Sequence, residues 1–149
     1  MKSLKKLNQL EKLDMKSKKI ILDTNLWISF LITKDYSFLD KYIENGKARL
    51  FFSEELIQEF LTVAKRPKLQ KYFTDKDIEH LLHTFDNFGI LIKVTSQIKI
   101  CRDYKDNFLL NLAVDSKVDY LATGDKDLLE IKNIEKTKIL TIRELKDKL

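Results

Sequence analysis

The sequence is poor in proline, glycine, cysteine and histidine, with one, three, one and two of them in 149 residues, and each shortage removes a class of protein. Pro67 is the only proline and Gly46, Gly89 and Gly124 the only glycines. No Gly/Pro/Ser-rich linker therefore divides the chain, and no glycine-rich loop cradles a phosphate as in a Walker or Rossmann site. The single Cys101 cannot form an internal disulfide and lacks the companions of a structural zinc site, so it suits a reducing compartment and reads as a buried thiol. No stretch approaches the roughly 18 apolar residues of a membrane span, and the N-terminus lacks the apolar core of a secretory signal. The expectation is a soluble, cytoplasmic protein with no membrane partner. His80 and His83 stand three apart with no third ligand nearby, and read as solvated or capping residues.

What is present suffices for one domain, since 44% hydrophobic and 10% aromatic residues can bury a core in a chain of this length. The formal charge of +5 favours a polyanionic partner over a cationic one. Part of that excess comes from Lys2, Lys5, Lys6 and Lys12 near the start. There Leu4, Leu7, Leu10 and Leu13 recur every third residue, as in a short amphipathic helix that docks on the domain or a partner. Alternatively, the segment is an extension upstream of Met15, where a second Met-Lys-Ser begins. The second reading is preferred because a strand begins by Lys19. Residues 1–17 are thus expected to be a dispensable extension and 18–149 the folded domain.

From there apolar runs and helical patterns alternate. Lys19 to Asp23 (KIILD) has the continuous apolar character of a buried parallel strand, and a helix through Trp27, Phe30 and Leu31 follows. A helix over 37–45 ends at Gly46, and Arg49 to Phe52 reads as a strand. Ser53 caps a helix whose first turn holds Glu54 and Glu55. Pro67 breaks the pattern, Thr74 restarts it with Ile78, Leu81, Leu82 and Phe85 on one face, and Ile90 to Val94 is the next strand. A helix over 106–117, a strand over 120–123, a short strand over 138–140 and a helix from Thr141 complete the chain. This alternation implies an α/β fold with a parallel sheet covered on both faces.

In such folds the functional crevice lies beyond the carboxyl ends of the strands, and acids gather there. Asp23 closes the first strand, Asp125 follows YLATG, and Asp106 lies in RDYKDN at the opening of a helix. Glu59 is mid-helix, beside the inward-facing Leu56 and Phe60, near the apolar face where an acid needs a partner. Singly, each acid has an ordinary explanation as a helix cap, a turn residue or half of an ion pair. Jointly placed carboxylates raise one another's pKa unless a cation compensates. A divalent ion with oxygen ligands does so, and such sites support in-line hydrolysis of a phosphodiester.

The stretches LDTNLWISFL, SEELIQEFLTVAKRPKL, CRDYKDNFLLNLAVDSKVDYLATGDKDLLEI and ILTIREL resemble, in order and spacing, PIN-domain proteins that are toxin components of toxin–antitoxin systems. The likeness spans roughly residues 18–146. It implies a three-layer α/β/α sandwich with a central parallel sheet, and Mg2+- or Mn2+-dependent endoribonuclease activity. By the same resemblance Asp23, Glu59, Asp106 and Asp125 are the metal-holding and catalytic acids. Asp127 holds a second ion or a metal-bound water, and Asn25, Ser53 and Thr123 are polar supports. Tyr104 departs from the pattern, standing where such proteins often carry proline, which puts loop geometry in doubt rather than the ligand. The resemblance further implies an RNA substrate and a cognate antitoxin, and makes a homodimer unsurprising.

The strongest basic cluster, Lys65, Arg66, Lys68 and Lys71 with Tyr72 and Phe73 beside it, has two readings: a surface for the RNA backbone with an aromatic stack, or a solvated turn. Trp27 reads as core. A dehalogenase-type phosphatase would need an acid where Asn25 stands, and a receiver module would need neighbouring acids that KKIILD lacks. The serious alternative is a catalytically inactive PIN fold that binds RNA or protein without cutting; the presence of all four acids argues against it.

Overall fold

The computed structural model describes residues 17–101 and 104–149; the N-terminal segment 1–14, with its two readings, lies outside the described residues. Five of the strands are parallel: β1 (Lys18–Leu22), β2 (Ala48–Phe52), β3 (Gly89–Leu91), β4 (Tyr120–Ala122) and β6 (Thr137–Leu140). A two-residue β5 (Asn133–Ile134) pairs antiparallel with β6 at one edge. The order is β3-β2-β1-β4-β6-β5, so successive strands step one way from β1 and the other way from β4. The crevice between β1 and β4 is therefore the topological switch point, where sites form in open α/β sheets.

Helices α1 (Thr24–Thr33), α2 (Leu39–Glu44), α3 (Glu54–Ala64), α4 (Asp75–Phe88), α5 (Asn107–Ser116), α6 (Lys126–Ile131) and α7 (Ile142–Lys148) flank the sheet, giving the expected PIN-like α/β architecture. Their starts follow from short polar side chains. Ser53 Oγ accepts the Leu56 N–H at 3.2 Å, and Thr74 with Asp77 and Thr141 with Glu144 form reciprocal capping boxes. Among the described residues no helix is long and apolar enough to cross a membrane.

The core is aromatic on one side of the sheet. Trp27 is fully buried, its ring centroid 4.4 Å from that of Phe85, and its Nε1 donates to the Leu22 carbonyl at 3.1 Å, which confirms it as core. Gly89 is required by close approach, because a Cβ there would run into the Phe52 ring and the Phe85 carbonyl oxygen.

Several boundaries differ from expectation. The helix before Gly46 is wound as a π-helix over Leu39–Glu44; its end does use Gly46, at φ 74°. Helix α6 and strand β5 were not expected. The expected strand over 90–94 ends at Leu91. After one more bond to β2, from Ile92 N–H to the Phe52 carbonyl at 2.8 Å, the chain becomes an extended strap against α5. One face of α5 holds it through successive turns. Asp115 accepts the N–H groups of Thr95 and Ser96 at 2.6 and 3.0 Å and the Ser96 hydroxyl, Asn111 accepts Ile98 N–H at 2.6 Å, and Asn107 accepts Cys101 N–H at 2.9 Å. The strap thus runs antiparallel to α5 and ends beside the turn that carries Asp106.

Candidate active site

Asp23 closes β1 and Thr123 follows β4, its neighbour in the sheet, so the two are delivered to the same strand edge. Asp23 is 5% exposed and Thr123 fully buried. The Thr123 hydroxyl donates to Asp23 Oδ2 at 2.6 Å and accepts the Asp125 N–H at 3.0 Å. Asp125 Oδ1 in turn accepts the Asp127 N–H at 2.8 Å, which caps α6. One hydroxyl therefore orients one carboxylate and fixes the backbone of a second, and Thr123 is found where a supporting residue was expected.

Asp23 occupies the N-cap position of α1 without a well-formed side-chain capping hydrogen bond, although the Thr24 and Asn25 N–H groups lie close enough to act on its carboxylate. Burial pushes its pKa up; the Thr123 hydroxyl and the nearby N–H groups of Thr24 and Asn25 pull it partway back, and the charge of Asp125 raises it again. Thr24 Oγ1, one residue on, is buried without a hydrogen-bond partner. The pair Asp23–Asp125 thus combines hard oxygen donors with mutual repulsion, and this chemistry fits a divalent cation.

The other two acids are placed differently. Asp106 ends a short 3-10 turn (Tyr104–Asp106) and precedes α5, half-buried and without capping that helix. Glu59 was expected near the apolar face of α3. It is exposed instead, on the edge of the stripe formed by the fully buried Leu56 and Phe60. It lines a groove of about 540 Å³ together with Lys105 and Phe108, one residue before and two residues after Asp106. The structure therefore joins Asp23 to Asp125 and Asp127, and sets Glu59 close to the Asp106 segment. As arranged, no three His, Cys, Asp or Glu side chains among the described residues stand together as a metal-holding group.

Among the supporting residues, Asn25 is exposed, while Ser53 is buried and spends its hydroxyl on capping α3. Lys65, Arg66, Lys68 and Lys71 are all exposed at the far end of α3 and on the turn after it. Tyr72 is 45% exposed with Lys71 Nζ 5.2 Å from its ring centroid, whereas Phe73 is core. His80 and His83 are exposed, with the His80 ring edge-on to Tyr36. The polar stripe Asn107–Asn111–Asp115 and the groove residues Lys105 and Phe108 were missed from sequence. Short polar side chains at spacing four on an otherwise apolar helix were the available signal for the stripe.

A family model described as PIN domain matches residues 19–127, a span that begins in β1, ends at Asp127 and includes all four acids. An uncharacterized protein of Methanocaldococcus jannaschii is 31% identical over 131 residues, covering 85% of this chain and 83% of that protein. PIN domains are generally nucleases and typically use divalent metal ions. On the family match, supported by the archaeal relative and the mostly parallel sheet, this chain belongs to the PIN-domain family.

Proposed function

We propose that this chain is a Mg2+- or Mn2+-dependent endoribonuclease and acts as the toxin of a toxin–antitoxin pair, restrained by a cognate antitoxin. The carrying observation for the nuclease is the buried Asp23, bonded through Thr123 to the backbone of a second acid at the switch point of the sheet. The toxin role rests on the motif resemblance, which also makes a homodimer unsurprising.

Asp23, Asp125 and Asp106, with Glu59 and Asp127, are the oxygen donors that would hold one or two ions. A bound divalent ion supplies charge neutralisation for these acids and polarises phosphate and water oxygens. The chain's own groups do the rest. Thr123 keeps the Asp23 carboxylate aimed into the crevice, and the Asp127 N–H holds that of Asp125. Glu59, exposed in the groove, is placed to bind metal or to take the proton of the attacking water. Hydrolysis by water leaves a 5′-phosphate and a 3′-hydroxyl, with no histidine acid or base.

Cleavage of a mixed single-stranded RNA with Mg2+, Mn2+ or EDTA, run beside Asp23→Asn, tests this. Metal-dependent products should disappear in the variant, which keeps the side-chain volume. Equal turnover by both proteins would remove Asp23 from the site, and inertness of both under all metals would favour the non-cutting binding module.

A further inference from the structure

Resting on the nuclease reading, we infer that the groove between α3 and the start of α5 is a single-strand track. In it one base stacks on Phe108 and the backbone leaves toward Lys65 and Arg66. The groove is floored by Phe108, a half-buried ring, and walled by Gln58, Glu59 and Thr62 of α3, with Lys105 beside the ring. Its volume of about 540 Å³ lies in the range of small-ligand sites, roughly 300 to 1,000 Å³, which suits a nucleotide unit rather than a duplex.

Two features give the track a direction. Its near end carries Glu54, Glu55 and Glu59, which repel phosphate unless a cation is held there, and Asp106 adjoins Lys105. The far end is reached by helical spacing, since Gln58, Thr62 and the C-cap Lys65 recur along one face of α3, and Arg66 opens the turn that follows. About 9 Å of helix axis separates Glu59 from Lys65. The exposed Lys65, Arg66 and Lys68 then meet the departing backbone. A polyanion entering this groove is thus drawn to one end and admitted at the other only when the acids are neutralised.

The occupant must be single-stranded, because the Phe108 ring can stack only on a base whose own face is free. Double-helical RNA presents a stacked exterior that is read by shape and backbone contacts. Gln58 and Thr62, both exposed on the wall, offer the amide and hydroxyl that would contact the base edge.

The test is fluorescence anisotropy with a short labelled single-stranded RNA in Ca2+, a hard divalent ion that neutralises the acids, with the RNA checked for integrity afterwards, for wild type, Phe108→Leu, Phe108→Tyr and the double variant Lys65→Ala/Arg66→Ala. Melting curves check that the leucine variant folds, and a blunt duplex of the same sequence serves as competitor. Phe108→Leu should weaken binding by about five- to hundredfold, the range of one missing base stack, and Phe108→Tyr should restore it. The double variant should flatten the slope of the salt dependence by roughly 0.7 for each phosphate no longer neutralised. Absence of wild-type binding, equal affinity of Phe108→Leu and wild type, or a duplex competing as well as the single strand would each overturn the track. Cleavage separates the two hypotheses. A wild type that binds in this pattern but cuts nothing with Mg2+ or Mn2+ sinks the nuclease alone. A wild type that cuts with the same KM as Phe108→Leu sinks the track alone.

Discussion

The two sides of the crevice are built by different means. On the β1–β4 side, Asp23 and Asp125 sit at strand ends, and the buried Thr123 ties one carboxylate to the backbone of the other at 2.6 and 3.0 Å. On the α3–α5 side, Glu59 is exposed and Asp106 half-buried, one in mid-helix and the other in the turn before a helix rather than at strand ends. The first side is preorganised, and burial there disfavours the charged form of Asp23. The second is open to solvent and to a long substrate. The contrast points to a division of labour in which the sheet supplies a fixed anionic anchor and the helices supply access.

Thr123→Val should break the fixed side most severely. It leaves the Asp125 N–H without its acceptor and Asp23 without its donor, at a cost of about 1–3 kcal/mol in stability. Metal affinity or activity should fall roughly 10- to 100-fold, as when other supports of metal ligands are removed. The Asp23 pKa should move further up, since the hydroxyl is the largest influence lowering it. Denaturant melts, metal titration and carboxyl NMR would check the three parts, and unchanged metal affinity would show that Thr123 serves the fold alone.

Asn111→Ala should act more mildly and on the other side. It removes one of the bonds pinning the strap, that to Ile98 N–H, for about 1 kcal/mol. Amide exchange should accelerate at Ile98 and spread toward Cys101, three residues before the Tyr104–Asp106 turn, while the amides of Asp23 and Asp125 stay protected. Exchange that accelerates equally on both sides would mean that the crevice opens as one unit and would end the proposed contrast.

The fixed side was largely legible in the sequence. A run of apolar residues ending in Asp23, and Thr123 and Asp125 closing YLATG, mark strand ends whatever the rest of the chain does. Ser53, Thr74 and Thr141 announced their helices through local capping chemistry. The open side was less legible. Ile90 to Val94 reads as one strand, but apolar character alone cannot say where the ladder stops at Leu91 and gives way to backbone held by the polar side chains of α5. Glu59 lies beside Leu56 and Phe60 in sequence, yet the few tens of degrees of helix rotation that decide exposure come from packing. Helix α6 and strand β5 are six and two residues long, too short for periodicity to register.

The central claim, that the crevice holds a mutually repelling acidic pair suited to a cation, is tested most directly by thermal melting. Wild type and Asp23→Asn would be compared in EDTA and in Mn2+ at neutral and acidic pH. A carboxyl whose pKa is raised by folding contributes stability below its unfolded pKa and loses it as pH rises through the folded value. In EDTA at neutral pH the asparagine variant should therefore melt a few degrees above wild type, and the gap should close on acidification. Mn2+ should raise the melting temperature of wild type and leave the variant nearly unmoved. A variant that melts below wild type at every pH, with both proteins indifferent to Mn2+, would contradict the account.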